Sequence, residues 1–347
     1  MLLLIIILFW IKSLREYIVT KEIGGKKIFR FLHEKLPEIK NGDIFKLLRK
    51  GIVKVNNKLV ESNYEIKEND KIIIYLNEEH FNKNKKSETN KFHSIKIDLS
   101  IIFEDKDIIV INKKRGVLTH PDKRDYKNSL LEQVKAYLFK KNEFDPSKSL
   151  FIPTPCHRLD RNTSGIIIFA KNHNTLKKIN EYFKQNEADK RYLAIIYGKI
   201  DKDMMLVSKK MKNIENSKNI VSVEGFAIKN EIKEKKSYLK ENYEDLVTIV
   251  KPISYNKNIT YTEIELWTGK KHQIRVHLMM ALHPLIGDQK YYTKESYLFS
   301  KNINIKSYFL HSYKLKIPDY DEFIAPIPFN NAKCKMQNAK WFYKFGV

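Results

Sequence analysis

His157-Arg158-Leu159-Asp160-Arg161-Asn162-Thr163-Ser164-Gly165 runs without a break into Ile166-Ile167-Ile168-Phe169-Ala170-Lys171. An acid stands between two arginines, ahead of a polar turn and an apolar run. Arg158 and Arg161 flank Asp160, and an adjacent cation favours the charged carboxylate. Asn162-Thr163-Ser164-Gly165 can satisfy backbone groups locally in a turn, and 166–170 reads as a central strand buried on both faces. This places one carboxylate at the mouth of a cleft and makes Asp160 the candidate catalyst. An arbitrary Arg-x-Asp-Arg is more often a surface ion pair ahead of a core strand, so the weight of the reading depends on what surrounds it.

The 347 residues suffice for two domains with a sizeable core. Lys plus Arg number 65 against 41 Asp plus Glu, a formal charge of +24. Such an excess favours a polyanion partner, because each cation set against a phosphate releases condensed counterions; the abundance of Lys, Asn and Ile is also what a low-GC coding bias produces. Cys156 and Cys334 are the two cysteines, which excludes a disulfide-dense secreted scaffold and suits a reducing cytoplasm. Cys156-His157 with His272, His277 and His283 matches no zinc spacing, so no metal site is expected. Met1 to Ile11 are wholly apolar, too short for the roughly 20 residues of a membrane span and without a basic leader. An upstream in-frame start, a degenerate export or anchor segment and a packed terminal helix compete; the first is preferred, because Arg15-Glu16-Tyr17-Ile18-Val19 looks like the beginning of a soluble chain.

Outward from the central stretch the chain divides into an extension (1–18), a compact unit (19–80), a polar linker (81–96) and a large second domain (97–347). In the compact unit Ile28, Leu32 and Leu36 recur at helical spacing. A second helix carries Ile44, Leu47 and Leu48 on one face, Asp43 as a cap, and Lys46, Arg49 and Lys50 as positive charge. Two strands around 52–55 and 71–76 follow, with a turn at Asn56-Asn57. The linker has no apolar period. The second domain opens with a hairpin (101–112), then helices over 129–142 and 173–187 and a strand over 190–198. Residues 231–245, with charges of both signs and few apolar anchors, read as an exposed insertion without a role. Thr268-Gly269-Lys270-Lys271-His272-Gln273-Ile274-Arg275-Val276-His277 gathers donors where a helix begins, a favourable place for an anion.

His-Arg-Leu-Asp-Arg-x-Thr-Ser-Gly before an apolar strand and Ala-Lys resembles the signature of the RluA family of RNA pseudouridine synthases. The 268–277 cluster is similar to that family's Thr-Gly-Arg-x-His-Gln-Ile-Arg-Val-His, with Lys270 where Arg is usual. Asn112-Lys113-Lys114-Arg115-Gly116 follows its Asn-Lys-Pro-x-Gly except at Lys114. His283 to Asp288 and Leu310-His311 match further segments, and residues 19–80 resemble the S4 RNA-binding module. The resemblance implies an α+β protein: an S4 domain, then a mixed, largely antiparallel sheet with flanking helices around a basic cleft. It implies isomerisation of uridine to pseudouridine, redox-neutral and therefore without a cofactor. Asp160 would be the catalyst, either attacking a carbon or removing the 2′-proton, with Arg275 paired to it. Tyr192 would stack on the detached uracil and take the C5 proton at the end. Arg158 would fill the gap left by the flipped base, and Arg161, Lys270, Lys271 and the S4 cations Lys46, Arg49 and Lys50 would meet RNA. Similarity to the RluC branch implies 23S rRNA as the substrate of a monomeric enzyme. Alternatives are a catalytically silent ribosome-assembly protein on the same scaffold, a synthase acting on tRNA, and a glycosidase pairing Asp160 with Glu263 or Asp288.

Overall fold

Asn56 and Asn57 both adopt positive φ, at 50° and 62°, a conformation that asparagine tolerates better than most residues, and they mark the turn that opens the return path of a small N-terminal module. The structure, a computed structural model, describes residues 14–328 apart from 22, 37–38, 77–91, 123–126, 147–148, 214–220 and 230. The apolar residues 1–11 and most of the linker therefore lie outside the described residues. The module consists of β1 (Leu14–Ile18), α1 (Ile28–Lys35), α2 (Asn41–Arg49), β2 (Val53–Val55) and β3 (Lys71–Tyr75). Its antiparallel sheet has the order β1-β3-β2, covered by Ile28, Phe31 and Leu32 of α1 and Ile44, Leu47 and Leu48 of α2. Two details differ from expectation. Leu14–Ile18, assigned above to the extension, is a paired strand of this sheet. Asp43 does not cap α2; it lies in the first turn and binds Lys46 at 2.8 Å.

The larger part contains β4 (Ile101–Glu104), β5 (Ile108–Lys113), α3 (Leu130–Lys140), β6 (Thr154–Pro155), β7 (Ser164–Ala170), α4 (His173–Lys184), β8 (Asp189–Tyr197), β9 (Met204–Ser208), β10 (Lys210–Asn213), β11 (Val221–Glu224), β12 (Ala227–Lys229), α5 (Lys235–Glu241), β13 (Leu246–Tyr255), β14 (Ile259–Leu266), α6 (Gln273–Met280), α7 (Lys294–Asn302), β15 (Leu310–Lys316) and β16 (Phe323–Ile324). Ser129 caps α3 and Asn172 caps α4, each side chain accepting an otherwise orphaned helix N–H. The main sheet runs β12-β9-β13-β14-β8-β15-β7-β5-β4, with β16 on β15 and β6 on β7. Its pairings are antiparallel except that of β15 with β7, so this is the expected mixed, largely antiparallel sheet of an α+β protein.

Strand β7 is buried along its whole length. Ile166, Ile168 and Ala170 enter one apolar cluster, shared with Ile108 and Val110 of β5, Ile179 of α4 and the core of the N-terminal module. Ile167 and Phe169 enter a second, with Leu130 and Val134 of α3, Ile274 and Leu278 of α6, and Tyr192 of β8. The module is also joined to the body by polar bonds: Asn174 Nδ2 donates to the Lys21 carbonyl at 2.7 Å, and the Lys35 ammonium to the Ser149 carbonyl.

Two expectations need correction. Phe92 and Ile95, inside the stretch read as linker, are buried in the second cluster, with the Phe92 ring 5.7 Å from that of Phe139. The segment 231–245 is mostly exposed, as expected, but it is firmly anchored. It forms α5, whose Tyr238 is buried beside Trp267 and donates to Asp245 at 2.6 Å, while Lys209 binds Asp245 at 2.5 Å. One tyrosine and one buried acid suffice as anchors, which a scan for apolar density overlooks.

Gly165 joins the central motif to the sheet. Its φ is +109°, and a Cβ there would lie 2.1 Å from the carbonyl oxygen of Ser312 on β15. Gly165→Ala should therefore cost about 2–5 kcal/mol, from overpacking and backbone strain together, read as a lower urea midpoint. Acid should also weaken the fold through Glu104. Its carboxylate accepts from Lys171 at 2.6 Å, Lys141 at 2.9 Å and Tyr137 at 2.8 Å, tying β4 to α3 and to the end of β7. Burial raises its pKa, but these donors outweigh burial and bring it to about 2. A depressed carboxylate pKa contributes stability above the unfolded value of 4.5, lost as pH falls towards about 2. Equilibrium unfolding of Glu104→Gln should show a shallower loss over that range, with up to roughly 3 kcal/mol of pH dependence removed.

Candidate active site

Asp160 lies in the turn between β6 and β7, and backbone bonds hold that turn from behind. Thr163 N–H donates to the Asp160 carbonyl at 3.1 Å, Gly116 N–H to the Arg161 carbonyl at 2.9 Å, and Thr119 Oγ1 to the Leu159 carbonyl at 3.1 Å. Lys113, at the end of β5, is fully buried. Its Nζ donates to the carbonyls of Lys114 at 3.1 Å, Val117 at 2.8 Å and Arg161 at 3.0 Å, which matches three acceptors to the three N–H bonds of an ammonium. Burial lowers its pKa to about 7, and the Asp160 charge opposes that shift. The loop in which Lys114 stands in place of proline is thus fixed by the lysine before it.

The flanking arginines do not hold the carboxylate. Arg158 is exposed, and its charge, after burial itself, helps depress the pKa of His120. Arg161 turns back and donates from Nε to the Gly116 carbonyl at 3.0 Å. The partner of Asp160 comes from 115 residues away: Arg275 Nη1 donates to Asp160 Oδ2 at 2.9 Å. Arg275 stands in the first turn of α6, and the other edge of its guanidinium grips Asp288, Nε to Oδ2 at 2.7 Å and Nη2 to Oδ1 at 2.9 Å. The rings of Tyr308 and Tyr291 lie 4.6 and 5.0 Å from its central carbon, within range of a cation–π attraction. Burial disfavours the charged guanidinium, but the bonds and charge of Asp288, with Tyr308 and Asp160 beside it, raise its pKa above the ordinary arginine value.

Tyr192, on β8, is buried in the apolar cluster that also contains Leu159 and Ile274. Burial pushes its phenol up to about 12, with the Asp160 charge adding to the rise against a hydrogen bond from Ser312. At neutral pH it is a protonated aromatic wall, which suits stacking and makes it a poor resting base. The two other acids considered for a glycosidase are engaged elsewhere. Asp288 is wholly buried against Arg275, and Glu263 accepts from Arg191 at 3.0 Å and from the Tyr313 hydroxyl. Among the described residues no three of His, Cys, Asp and Glu gather as metal ligands would.

The expected trio of Asp160, Tyr192 and Arg275 converges here. Lys270 and Lys271 are exposed on the loop before α6, and Lys46, Arg49 and Lys50 are exposed on α2. Sequence reading missed Lys113, Tyr291 and Tyr308 and considered Asp288 only as an acid. Lys113 had a signal, a cation closing an apolar strand, whereas nothing in the spacing of Tyr291 or Tyr308 marks them. Because Asp288 aims Arg275, Asp288→Asn should lower turnover about 10–100-fold, the loss expected for one charge-assisted hydrogen bond, and should also lower the urea midpoint, since it leaves a buried guanidinium without its counter-charge.

Residues 107–279 match the family model described as RNA pseudouridylate synthase. An uncharacterised RNA pseudouridine synthase of Mycoplasma genitalium is 32% identical over 342 residues, covering 94% of this chain and 97% of that protein. A ribosomal large subunit pseudouridine synthase C of Buchnera aphidicola is 28% identical over 297 residues, covering 85% and 86%. Among solved structures, human RNA pseudouridylate synthase domain containing 1 superposes with a TM-score of 0.51 at 22% identity, covering 67% of this chain and 85% of that one, a likeness of fold. Together with the carboxylate held by Arg275 beside a buried tyrosine, these matches establish that the chain belongs to the RNA pseudouridine synthase family and isomerises uridine to pseudouridine in RNA.

Proposed function

We propose that Asp160 is the catalytic residue, that Arg275 and Tyr192 complete the site, and that the substrate is 23S ribosomal RNA. The observation that carries the assignment is the state of the Asp160 carboxylate. It is bonded to a buried guanidinium through Oδ2 alone, and its side chain retains 26% exposure. An anion fixed at one oxygen and open at the other suits both routes, attack on carbon and removal of the 2′-proton. In either route the N1–C1′ bond breaks, the uracil turns while held against Tyr192, and C5 bonds to C1′. The C5 proton then leaves and N1 ends protonated, so the reaction is balanced without an oxidant.

The choice of RNA rests on two supports. The relative from Buchnera aphidicola bears a name that assigns it to the ribosomal large subunit. The N-terminal module, read as S4-like, presents Lys46, Arg49 and Lys50 on the exposed face of α2. Arg158, Arg161, Lys270 and Lys271, all exposed, would supply further phosphate contacts, with Arg158 filling the gap left by the flipped base.

Purified protein incubated with unmodified large-subunit rRNA should produce new carbodiimide-dependent reverse-transcription stops. Asp160→Asn should abolish them while RNA affinity stays within about threefold of the wild type, because binding is dominated by cation–phosphate contacts. Activity near wild type in that variant would move the catalyst elsewhere, and stops confined to transfer RNA in a cellular map would move the substrate.

A further inference from the structure

The hydrogen-bond roles around His272 follow from counting protons. The Tyr291 hydroxyl oxygen accepts the backbone N–H of Val221 at 2.8 Å, and the same hydroxyl lies 2.8 Å from His272 Nδ1. A phenol has one hydrogen. Among the described residues Nδ1 is the one acceptor within reach of that hydrogen, so donating it there satisfies the phenol and makes Nδ1 the unprotonated nitrogen. Burial lowers the pKa of His272 to about 4; Asp160 opposes the shift, and the charges of Arg275, Lys271 and Lys290 reinforce it. The imidazole is therefore neutral at pH 7, and its single proton sits on Nε2. That nitrogen faces Asp160 Oδ1 at 3.7 Å.

The two oxygens of Asp160 are thus treated differently. Oδ2 is hydrogen-bonded to Arg275 at 2.9 Å, whereas Oδ1 sees an N–H dipole beyond hydrogen-bonding length. At that separation the dipole stabilises and turns the anion without occupying the lone pair that must react. The backbone is shaped to achieve this. His272 adopts φ 61°, ψ 13° immediately before α6 although it makes no side-chain cap there, a left-handed conformation that persists in a non-glycine residue when its surroundings require it. Its side chain is 8% exposed and its ring meets that of Tyr291 edge-on at 5.5 Å.

We infer that His272 is a positioning residue for the isomerisation: its Nε2–H, fixed by the relay from Val221 N–H through Tyr291 to Nδ1, selects Oδ1 of Asp160 as the reacting oxygen. The inference rests on Asp160 being the catalyst. It gives Tyr291 a defined duty, since without the phenol's proton Nδ1 can take the hydrogen itself. Nε2 would then turn a lone pair towards the carboxylate.

The test is single-turnover kinetics on rRNA with the full-length protein. Asparagine accepts the left-handed backbone but cannot reach Asp160, so His272→Asn should slow the chemical step about 10–30-fold with RNA affinity unchanged, the effect of one lost polar interaction. Tyr291→Phe, which leaves residue 272 untouched, should slow it similarly. The double variant should be no slower than either single one, because both remove the same N–H. His272→Gln, whose amide N–H extends further than that of asparagine, should recover part of the rate, which a purely structural role for the imidazole would not explain. Wild-type rates in His272→Asn, additive losses in the double variant, or a loss residing in RNA affinity would each overturn the proposal. Asp160→Asn run alongside separates the two failures: if it is inactive while His272→Asn is not, only the positioning role falls, whereas an active Asp160→Asn removes the catalyst on which it rests.

Discussion

A single guanidinium shared between two carboxylates holds this site together. Arg275 spans from the wholly buried Asp288 to the partly exposed Asp160, and its planar fork can satisfy both because its donors point along fixed, separate directions. Burying that cation without Asp288 would carry a heavy desolvation cost. With Asp288 in place the arginine is a fixed post, and the Asp160 carboxylate is docked on it through Oδ2. The aromatic walls of Tyr291 and Tyr308 exclude water from the guanidinium, which strengthens the electrostatic hold where the cleft is open.

The sheet exists to bring these pieces together. Asp160 precedes β7, Tyr192 lies on β8, Arg275 opens α6 and Tyr308 stands just ahead of β15. Strand β15 lies between β7 and β8, and Tyr192 of β8 shares an apolar cluster with Leu159, the residue before Asp160. The opposite side of the β5–β7 region is closed by the N-terminal module. That module therefore forms part of the foundation on which the Asp160 turn rests, in addition to presenting its own basic face. The bonds from Lys35 to Ser149 and from Asn174 to Lys21 reinforce that arrangement.

Much of this was legible in the sequence where a short-range rule applied. An apolar run bounded by a turn gave β7, helical spacing gave α1, α2 and α4, and motif order singled out Asp160 and Arg275, which the fold brings into hydrogen-bonding contact. What escaped was non-local. The flanking arginines were expected to charge Asp160, yet Arg161 turns back to the Gly116 carbonyl and Arg158 stays exposed, and the partner lies on a helix 115 residues on. Lys113 looked like one more cation in a basic stretch; only the folded loop reveals three carbonyls converging on it. The anchoring of α5 by Tyr238 and Asp245 was hidden because a buried polar pair leaves no apolar period. The His272–Tyr291 relay depends on a backbone N–H in β11, whose direction no sequence pattern encodes.

The parallel pairing of β7 with β15, closed against Gly165, joins residues 147 positions apart through Ser164 and His311 as well as through the backbone. Contacts of such sequence separation form slowly, since the loop entropy must be overcome before they contribute stability. On a chain emerging from the ribosome the N-terminal module and the β4–β5 hairpin are available early, and β6 covers the far end of β7, but the Ser164–Gly165 end of that edge waits for β15. The turn at Asp160 and Tyr192 of β8 stay unregistered with each other until then. The registry of that turn thus arrives with nearly the last strand, and the start of β7 is the edge most in need of protection during synthesis.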